Sequence, residues 1–474
     1  MNFFEFSFWW YLITFSIVLF CVKRVGLKMD IWRQGYDRGA LMCLSLILFF
    51  ITSVYSFIIF ISVIVFNYTI LSVSINRGWG GRIVAIFLII IDITVLVYFK
   101  CLVFLIQGLN LPIFALPIFT ESQIITDCLP LGISFYTFQL ISFVVDILRS
   151  GNRTSINFID YINYMVFFPK VISGPIERWP SISAQMKSFR FTFNVTNIDI
   201  GLKWICLGFF FKFVLADNLA PFINIKENGN AWTILFSVYL FGLKLYFDFA
   251  GYSFIAVGLA DIMGIRLTLN FLAPYSSLNI QDFWRRWHIS LMSWFRDYLY
   301  FPLGGSKRNN VYLNLLIVFV LSGFWHGAST NFLLWGAYHS LLMVFYRFFS
   351  RVKPLNVFTG WFVTFNSVML GWLFFMETNS SRLLAKLSAL SSLSSYSISN
   401  LHALINGFSI PELSVLLVVL GLSSLVLILE SISSTIDKKL AYSWLLRPGI
   451  VHSMVFFTML CSARAFTRFL YFNF

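Results

Sequence analysis

Charged residues are scarce in this chain of 474 residues: Asp, Glu, Lys and Arg make up only 11% of it, whereas soluble domains average about 25%. Hydrophobic residues make up 59% and aromatic residues 19%. So little charge could not cover the surface of a soluble globule, and disordered chains need more charge and fewer aromatic rings. The composition therefore predicts an all-α polytopic membrane protein. Since a spanning helix takes roughly 20 residues, the apolar stretches leave room for about 10–12 transmembrane helices.

Cysteine and histidine are also rare, with six and five residues respectively. The cysteines lie far apart, mostly inside or beside apolar runs, and the sequence has no CxxC pair or Cys/His cluster. That spacing argues against a disulfide framework and against a metal site. We expect the cysteines to be small buried hydrophobic side chains.

Acidic residues are outnumbered 34 to 20 by Lys and Arg, which gives a net charge of +14. The basic residues gather in short loops beside apolar runs, so we expect membrane lipids, and no nucleic acid, as their partners. Five of them lie within residues 23–38, directly after an uncharged run at residues 6–22. This excess predicts an extracytoplasmic N-terminus and a cytoplasmic loop. Because the run lacks the flanks of a signal peptide, we expect it to be a retained first span.

Further apolar runs predict the remaining spans, with boundaries good to several residues. Residues 40–75 carry no charge and predict two short spans joined by a turn near residues 53–56. A serine-rich stretch at residues 388–399 predicts a solvated extracytoplasmic loop. The other predicted spans are 83–106, 124–148, 203–220, 231–262, 311–328, 331–349, 357–376, 413–430 and 449–466.

Two segments do not fit a simple span. Residues 169–180 contain three prolines, a glycine and three charged side chains between apolar flanks. Non-helical backbone persists at membrane depth only where protein or a water-filled cavity surrounds it, so we expect a re-entrant or cavity-lining loop. Residues 279–310 are rich in Trp, Arg and Asp. They predict a helix that is too charged to span, and an interfacial or partly buried position fits it.

Several charged residues lie inside apolar segments, where they are costly and mark functional hypotheses. Asp248 is notable because aromatic residues flank its carboxylate in Phe247-Asp-Phe-Ala-Gly-Tyr252. The alternatives are structural ion pairs for the aspartates and lysine side chains that extend their charge to the membrane surface. The set comprises Asp92, Asp146, Lys212, Asp217, Lys244 and Asp248.

Of the five histidines, His326 and His288 have the most suggestive surroundings. His326 ends an apolar run and lies between Gly323 and Gly327, which allow a backbone or a ligand to approach closely. An imidazole in apolar surroundings is neutral, the form that a general base needs; a core histidine is the alternative. His288 follows Trp284 and Trp287, and helical spacing places all three with Leu291 on one face. We expect His339 to be a packing residue, and we expect no functional role for His402 and His452.

The motifs around these histidines resemble those of a known family. Residues 281–291 read QDFWRRWHISL, residues 294–305 read WFRDYLYFPLGG, and residues 323–328 read GFWHGA, followed by Trp335 and Gly336. Together they closely resemble the membrane-bound O-acyltransferase (MBOAT) family, and within it the alginate O-acetyltransferase branch. Residues 129–139, 168–175 and 247–252 add to the resemblance, and residues 371–375 add a weaker match.

The resemblance implies a single integral membrane domain over residues 1–474, with a family-like core at about 40–375 and C-terminal helices at 376–474. It implies a ring of tilted helices around a thinned centre with a central funnel. His326 matches the family's catalytic histidine, and His288 matches its second motif histidine. The residues that we expect to bind the donor or line the tunnel are Trp284, Trp287, Arg296, Asp297, Trp325, Asn331, Trp335 and Asp248.

The implied chemistry is attack of a hydroxyl on a thioester carbonyl, which requires a base because a hydroxyl is a weak nucleophile. We expect His326 to be that base, acetyl-CoA to be the acetyl donor, and no metal or cofactor to be bound. No GxSxG elbow points to an acyl-serine intermediate. Arginine and tryptophan in residues 282–297 suit a ligand that carries phosphate and aromatic groups. His288 or tryptophan N–H groups can stabilise the oxyanion.

The resemblance also implies a bacterial cytoplasmic (inner) membrane, an extracytoplasmic polysaccharide as the final acceptor, and a separate SGNH-type acetyltransferase as the extracytoplasmic partner. Alginate, peptidoglycan and other exopolysaccharides stay open as acceptors. Two other functions stay open too. One is D-alanyl transfer to teichoic acid from a carrier-protein thioester, and the other is a transporter or flippase for lipid-linked sugars.

Overall fold

The structure is a computed structural model, and it describes residues 2–28, 35–77, 81–109, 129–149, 156–223, 229–306, 310–327, 329–349, 355–436 and 441–461. Every regular element in these residues is a helix, and they contain no strand. This confirms the prediction of an all-α fold.

The chain divides into two compact units, of which the first comprises Met1–Leu202 and Ile255–Thr268. The predictions of a single domain and of a ring with a central funnel stay predictions. The helices of the first unit are α1 (Phe6–Lys28), α2 (Tyr36–Thr52), α3 (Val54–Arg77), α4 (Gly81–Leu109), α5 (Ile133–Arg149), α6 (Phe158–Val166), α7 (Trp179–Lys187) and the beginning of α8 (Val195–Phe209).

The second unit comprises Lys203–Phe254 and Leu269–Phe474. Its first helix, α8, continues as a π-helical segment, Phe210–Ala216. The later helices are α9 (Ala231–Ile262, whose end belongs to the first unit), α10 (Ile280–Arg286), α11 (Ile289–Phe295), α12 (Val311–His326), α13 (Thr330–Phe349), α14 (Val357–Met376), α15 (Ser380–Ser391), α16 (Ile398–Asn406), α17 (Ile410–Ile436) and α18 (Pro448–Cys461).

Seven helices of the described residues are long and apolar enough to cross a membrane. The chain is therefore a multi-pass membrane protein, as predicted, while the number of ten to twelve passes stays a prediction. Helices α12 and α18 are apolar but shorter. The seven candidate spans are Phe6–Gly26, Val54–Ile75, Gly81–Lys100, Ala231–Ile262, Thr330–Phe349, Val357–Met376 and Ile410–Ile436.

The two irregular features predicted for the first unit are present. Ser53 is extended (φ −164°, ψ 108°) and separates α2 from α3, and its hydroxyl lies 3.0 Å from that of Ser56. Residues 168–177 form consecutive turns followed by irregular backbone, and every one of them is buried. Burial in protein is the condition under which non-helical backbone survives in a membrane protein.

Two sequence-based predictions are wrong. The serine-rich stretch is mostly helical, because Asn379 and Ser397 cap α15 and α16 by accepting the N–H groups of Arg382 and Asn400. Serine and asparagine are good N-caps, so a serine-rich segment can start helices as well as form loops. The cysteines are not all buried: the Cys21 and Cys43 side chains are exposed on helices, and Cys206 is partly exposed. The side chains of Cys101, Cys128 and Cys461 lie outside the described residues.

Candidate active site

Helices α12 and α13 form a hairpin in which glycines let the two backbones touch. A Cβ atom on Gly323 would overlap the carbonyl oxygen of Phe332, and one on Gly336 would overlap that of Phe319. A Cβ atom on Gly327 would lie 2.6 Å from the Phe332 ring. The glycines therefore allow α13 to pack closely against α12. The space that they leave beside His326 is filled by the backbone and the Phe332 ring of this hairpin and not by a ligand.

His326 is the last residue of α12, and its side chain is buried among aromatic rings. Its ring centre lies 4.7 Å from that of Trp325, 4.9 Å from Phe375 and 5.4 Å from Trp335, in each case edge to face. These rings come from α12, α13 and α14, so three helices fix the position of one imidazole.

His288 is buried at an interruption between α10 and α11, where it adopts the left-handed conformation (φ 44°, ψ 54°). The Ile289 N–H bonds the Asn270 carbonyl at 2.9 Å, and the Ser290 hydroxyl bonds the Asn270 side chain at 2.6 Å. These bonds satisfy hydrogen-bonding groups at the start of α11 and stabilise the interruption between the two helices. The predicted single helical face with Trp284, Trp287 and Leu291 is therefore wrong, because Asn270, distant in sequence, interrupts the helix.

Burial lowers the pKa of His288 to about 3, so its imidazole is neutral at physiological pH. Its ring lies 4.7 Å from that of Phe249 and 6.1 Å from that of Trp325. Since Trp325 also contacts His326, one indole links the two motif histidines. A neutral imidazole offers one N–H donor, which suits it to stabilising an oxyanion but not to carrying a positive charge.

The row of ring contacts continues from His326 to a third histidine. Trp335 contacts both His326 and His339, with ring centres 5.4 and 4.9 Å apart. His339 in turn lies 4.9 Å from Trp284, which is itself 5.6 Å from Trp335. Trp287 lies further along, 4.9 Å from Trp372. The sequence predicts packing for His339, and its buried side chain packs against these rings, but no short motif around it marks its place in this row.

A cavity of about 410 Å³ lies against this row, and Trp284 forms part of its wall. Three arginines line it: Arg285 from α10, Arg296 from the π-helical turn after α11, and Arg347 from α13. Arg296 also bonds Asp297, with the Nε–Oδ1 distance 2.8 Å. Arginines that converge on one cavity suit a phosphate-bearing ligand. Arg285 and Arg296 lie in the segment 282–297 that predicts a phosphate-bearing ligand, whereas Arg347 was not predictable because it is distant in sequence and lies outside the motifs.

A second cavity of about 830 Å³ adjoins the first and shares Gln281, Arg285 and Tyr346 with it. Aromatic rings of α14 (Phe358 and Trp361) and hydroxyl groups near the end of α17 form much of its lining. The two cavities together leave room for a ligand larger than a single phosphate group.

Asn331 and Glu377 connect the start of α13 to the segment that follows α14. The Asn331 amide donates to the Glu377 carbonyl, and its oxygen accepts from Ser380 at 3.0 Å. Burial acts to raise the pKa of the Glu377 carboxyl, but hydrogen bonds from Lys386, the Asn379 N–H and Arg382 outweigh it and hold the pKa below its usual range. Asn331, predicted to line the tunnel, has a side chain engaged in holding α13 to the segment after α14.

Asp248 belongs to a separate buried group. Lys212 in the π-helical segment bonds the carboxylates of Asp217 and Asp248, each at 2.8 Å, and all three side chains are at most 1% exposed. The structural alternative, an ion pair, therefore describes these residues. In the first unit, Asp92 likewise accepts from Asn67 at 2.9 Å. Its neighbour Phe249 contacts His288, with ring centres 4.7 Å apart.

The comparison with protein families identifies the class of protein that this site belongs to. The model of the MBOAT, membrane-bound O-acyltransferase family, matches residues 1–388. The match covers most of the chain, so the chain belongs to this family, and the resemblance based on its motifs is confirmed.

Individual relatives carry related activities. A probable alginate O-acetylase of Pseudomonas aeruginosa is 35% identical over 338 residues, which cover 68% of this chain and 63% of the relative. A peptidoglycan O-acetyltransferase of Helicobacter pylori is 36% identical over 58% of this chain and 59% of the relative. A teichoic acid D-alanyltransferase of Streptococcus thermophilus is 32% identical over 52% of this chain and 68% of the relative. The chain thus spans about three-fifths of the first two relatives.

Proposed function

We propose that this protein is an O-acetyltransferase that moves an acetyl group from acetyl-CoA to a hydroxyl group, for O-acetylation of an extracytoplasmic polysaccharide. The observation that carries the proposal is the contact between an arginine-lined cavity and a row of buried histidines, with Trp284 common to both. Family membership and the acetyl-transferring relatives support the same activity.

In the proposed reaction, His326 is the general base. It takes the proton of the acceptor hydroxyl while the hydroxyl oxygen attacks the thioester carbonyl. A C–O bond forms, the C–S bond breaks, and the leaving thiolate takes the proton from the imidazolium. His288, neutral and joined to His326 through Trp325, is placed to donate a hydrogen bond to the tetrahedral oxyanion.

The proposal places the protein in the bacterial cytoplasmic membrane, with the N-terminus outside. The three arginines that line the 410 Å³ cavity favour a phosphorylated donor such as the CoA thioester. An SGNH-type acetyltransferase outside the membrane is the proposed partner that completes transfer to the polymer. If the purified chain alone acetylated polysaccharide at the rate seen with such a partner, the partner would be unnecessary and this part would fail.

Replacement of the base tests the mechanism. His326→Ala should lower acetyl transfer by roughly 10²–10⁴-fold, the usual contribution of a positioned general base. The measurement is transfer of labelled acetate from acetyl-CoA in proteoliposomes that hold the chain and its partner, with folding of each variant checked by its melting temperature. His402→Ala, an exposed histidine on α16, is the matched control and should behave as wild type. Near-normal transfer by well-folded His326→Ala would reject this mechanism and favour a transporter.

A second candidate function is D-alanyl transfer, which the relatives named as teichoic acid D-alanyltransferases favour. It would require a thioester on a carrier protein in place of acetyl-CoA. Proteoliposomes supplied with D-alanyl carrier protein or with acetyl-CoA separate the two: only the true donor should be discharged in a manner that depends on His326.

A further inference from the structure

Four buried ring nitrogens of three touching side chains have no hydrogen-bond partner among the described residues. They are Nε1 of Trp284, Nε1 of Trp335 and both nitrogens of His339. The side chains are at most 6% exposed, and His339 contacts both indoles at 4.9 Å. Buried polar groups in native proteins nearly always have partners, so a cluster of unsatisfied nitrogens calls for an explanation.

The position of this cluster connects the two parts of the site. Trp284 forms part of the wall of the arginine-lined cavity, and Trp335 contacts His326. His339 lies against both, with Gly371 on another side, where a side chain would collide with its Nε2 atom. The ring contacts that join the cavity wall to His326 therefore run through Trp284 and Trp335, with His339 beside both.

The inference rests on the proposed function, because it concerns the same donor. We infer that Trp284, Trp335 and His339 bind the amide groups of the donor's flexible arm. Each indole N–H is a donor only, and a neutral imidazole adds one donor and one acceptor. Three donors and one acceptor can satisfy both carbonyl oxygens of two amides and one of their two N–H groups.

The chemistry selects an amide-bearing arm and argues against other ligands. The two indoles and the neutral imidazole carry no positive charge. Since a phosphate is bound mainly by positive charge, the cluster does not suit a phosphate. It also does not suit a plain alkyl chain, which would leave all four nitrogens unsatisfied. The phosphopantetheine arm has two amides, and it occurs both in CoA and on acyl carrier proteins. The shared arm is therefore the ligand, and the experiment distinguishes its two sources.

The test compares three probes that the enzyme cannot consume: S-ethyl-CoA, S-ethyl-pantetheine, and adenosine 3′,5′-bisphosphate, which has no arm. His339→Leu in the full-length protein should weaken binding of the first two by the same factor, about three- to tenfold for lost neutral hydrogen bonds. The bisphosphate should bind unchanged. His339→Gln, which keeps a donor and an acceptor, should bind nearly as wild type, and Trp335→Phe should repeat the His339→Leu pattern while keeping a ring.

Two control variants separate the arm from the phosphates. Arg347→Gln should weaken S-ethyl-CoA and the bisphosphate but leave S-ethyl-pantetheine unchanged. His402→Leu, on the exposed surface of α16, should change none of the three affinities.

Each remaining outcome decides a different question. If His339→Leu bound each probe as tightly as wild type does, the inference would be overturned and acetyl-CoA would stay the proposed donor. Equal weakening of all three, the bisphosphate included, would also overturn it, because a general structural defect would then explain the loss. If S-ethyl-CoA binds no tighter than S-ethyl-pantetheine yet both depend on His339, the inference stands and the proposed donor becomes a carrier-bound arm. Failure of the wild type to bind either arm would overturn both proposals.

Discussion

Lys170 places an ammonium group in the interior of the first unit, within the irregular segment 168–177. The residue is fully buried, and its Nζ lies 4.1 Å from the centre of the Tyr164 ring, with no hydrogen-bond partner in the described residues. Burial lowers the pKa of Lys170 to about 7, and the Glu177 carboxylate opposes this shift. A cation held mainly by a ring face is expensive to bury, so the residue lowers stability at neutral pH.

This arrangement predicts a pH-dependent gain from Lys170→Met. Between pH 7 and about 10.5 the unfolded chain binds more protons at this position than the folded one, so stability rises with pH there. The variant removes that dependence. It should melt above wild type at pH 7, by about 2–4 °C for each kcal/mol gained, and the difference should disappear toward pH 10.

The measurement is the melting temperature in detergent at pH 7, 8 and 10. Lys187→Met, on the exposed side of α7, is the matched control and should follow wild type at every pH. A Lys170→Met variant that melts below wild type at pH 7 would show that the ammonium group is stabilising.

At the residue scale, the sequence predicts the surroundings of a side chain only where residues close to it in sequence determine them. His326 was predictable because glycines and an apolar run surround it in the sequence, and the structure buries it at the end of α12 as that pattern indicates. His339 was not, because its partners Trp284 and Trp372 come from distant helices. The left-handed backbone of His288 was equally unpredictable, since it depends on hydrogen bonds to Asn270.

At the scale of elements, the contact between α12 and α13 controls where His326 lies. Gly336→Ala would place a Cβ atom into the Phe319 carbonyl, and neither backbone can yield without separating the helices. Overpacking of this kind costs about 1–3 kcal/mol. We expect a lower melting temperature together with a loss of acetyl transfer, because α12 carries His326, the proposed base.

Gly421→Ala on α17 is the control for this substitution, since nothing lies within 4 Å of the added atom. It should keep full activity, and removal of a helical glycine should leave stability unchanged or raise it by up to about 1 kcal/mol. If Gly336→Ala were as active and as stable as Gly421→Ala, the two helices would not be as tightly joined as their glycines indicate.

Most helices were predictable because apolar runs identify them directly: α9 and α14 begin and end at the predicted residues, 231–262 and 357–376. The break at Ser53 was also predictable, because serines punctuate an apolar run there. The break at residues 287–288 was not. Its local sequence continues a helical pattern, and only the contact with Asn270 ends the helix.

At the scale of the whole molecule, the distribution of basic residues predicts topology. With five basic residues within residues 23–38, that segment should lie in the cytoplasm and the N-terminus outside. A fluorescent protein fused after Arg38 should be fluorescent, whereas alkaline phosphatase at the same position should be inactive. Active phosphatase at that junction would reverse the assignment.

Helix α12 is short for a protein of this kind, and its length has a consequence for the surrounding bilayer. Its 16 residues extend about 24 Å at 1.5 Å per residue, whereas the hydrocarbon core of a typical bilayer is about 30 Å thick. Lipids that border a span of this length shorten or tilt to match it, at a cost that grows with each ångström of mismatch. His326 is the last residue of α12, so local thinning of the bilayer beside this helix would bring the aqueous phase closer to His326.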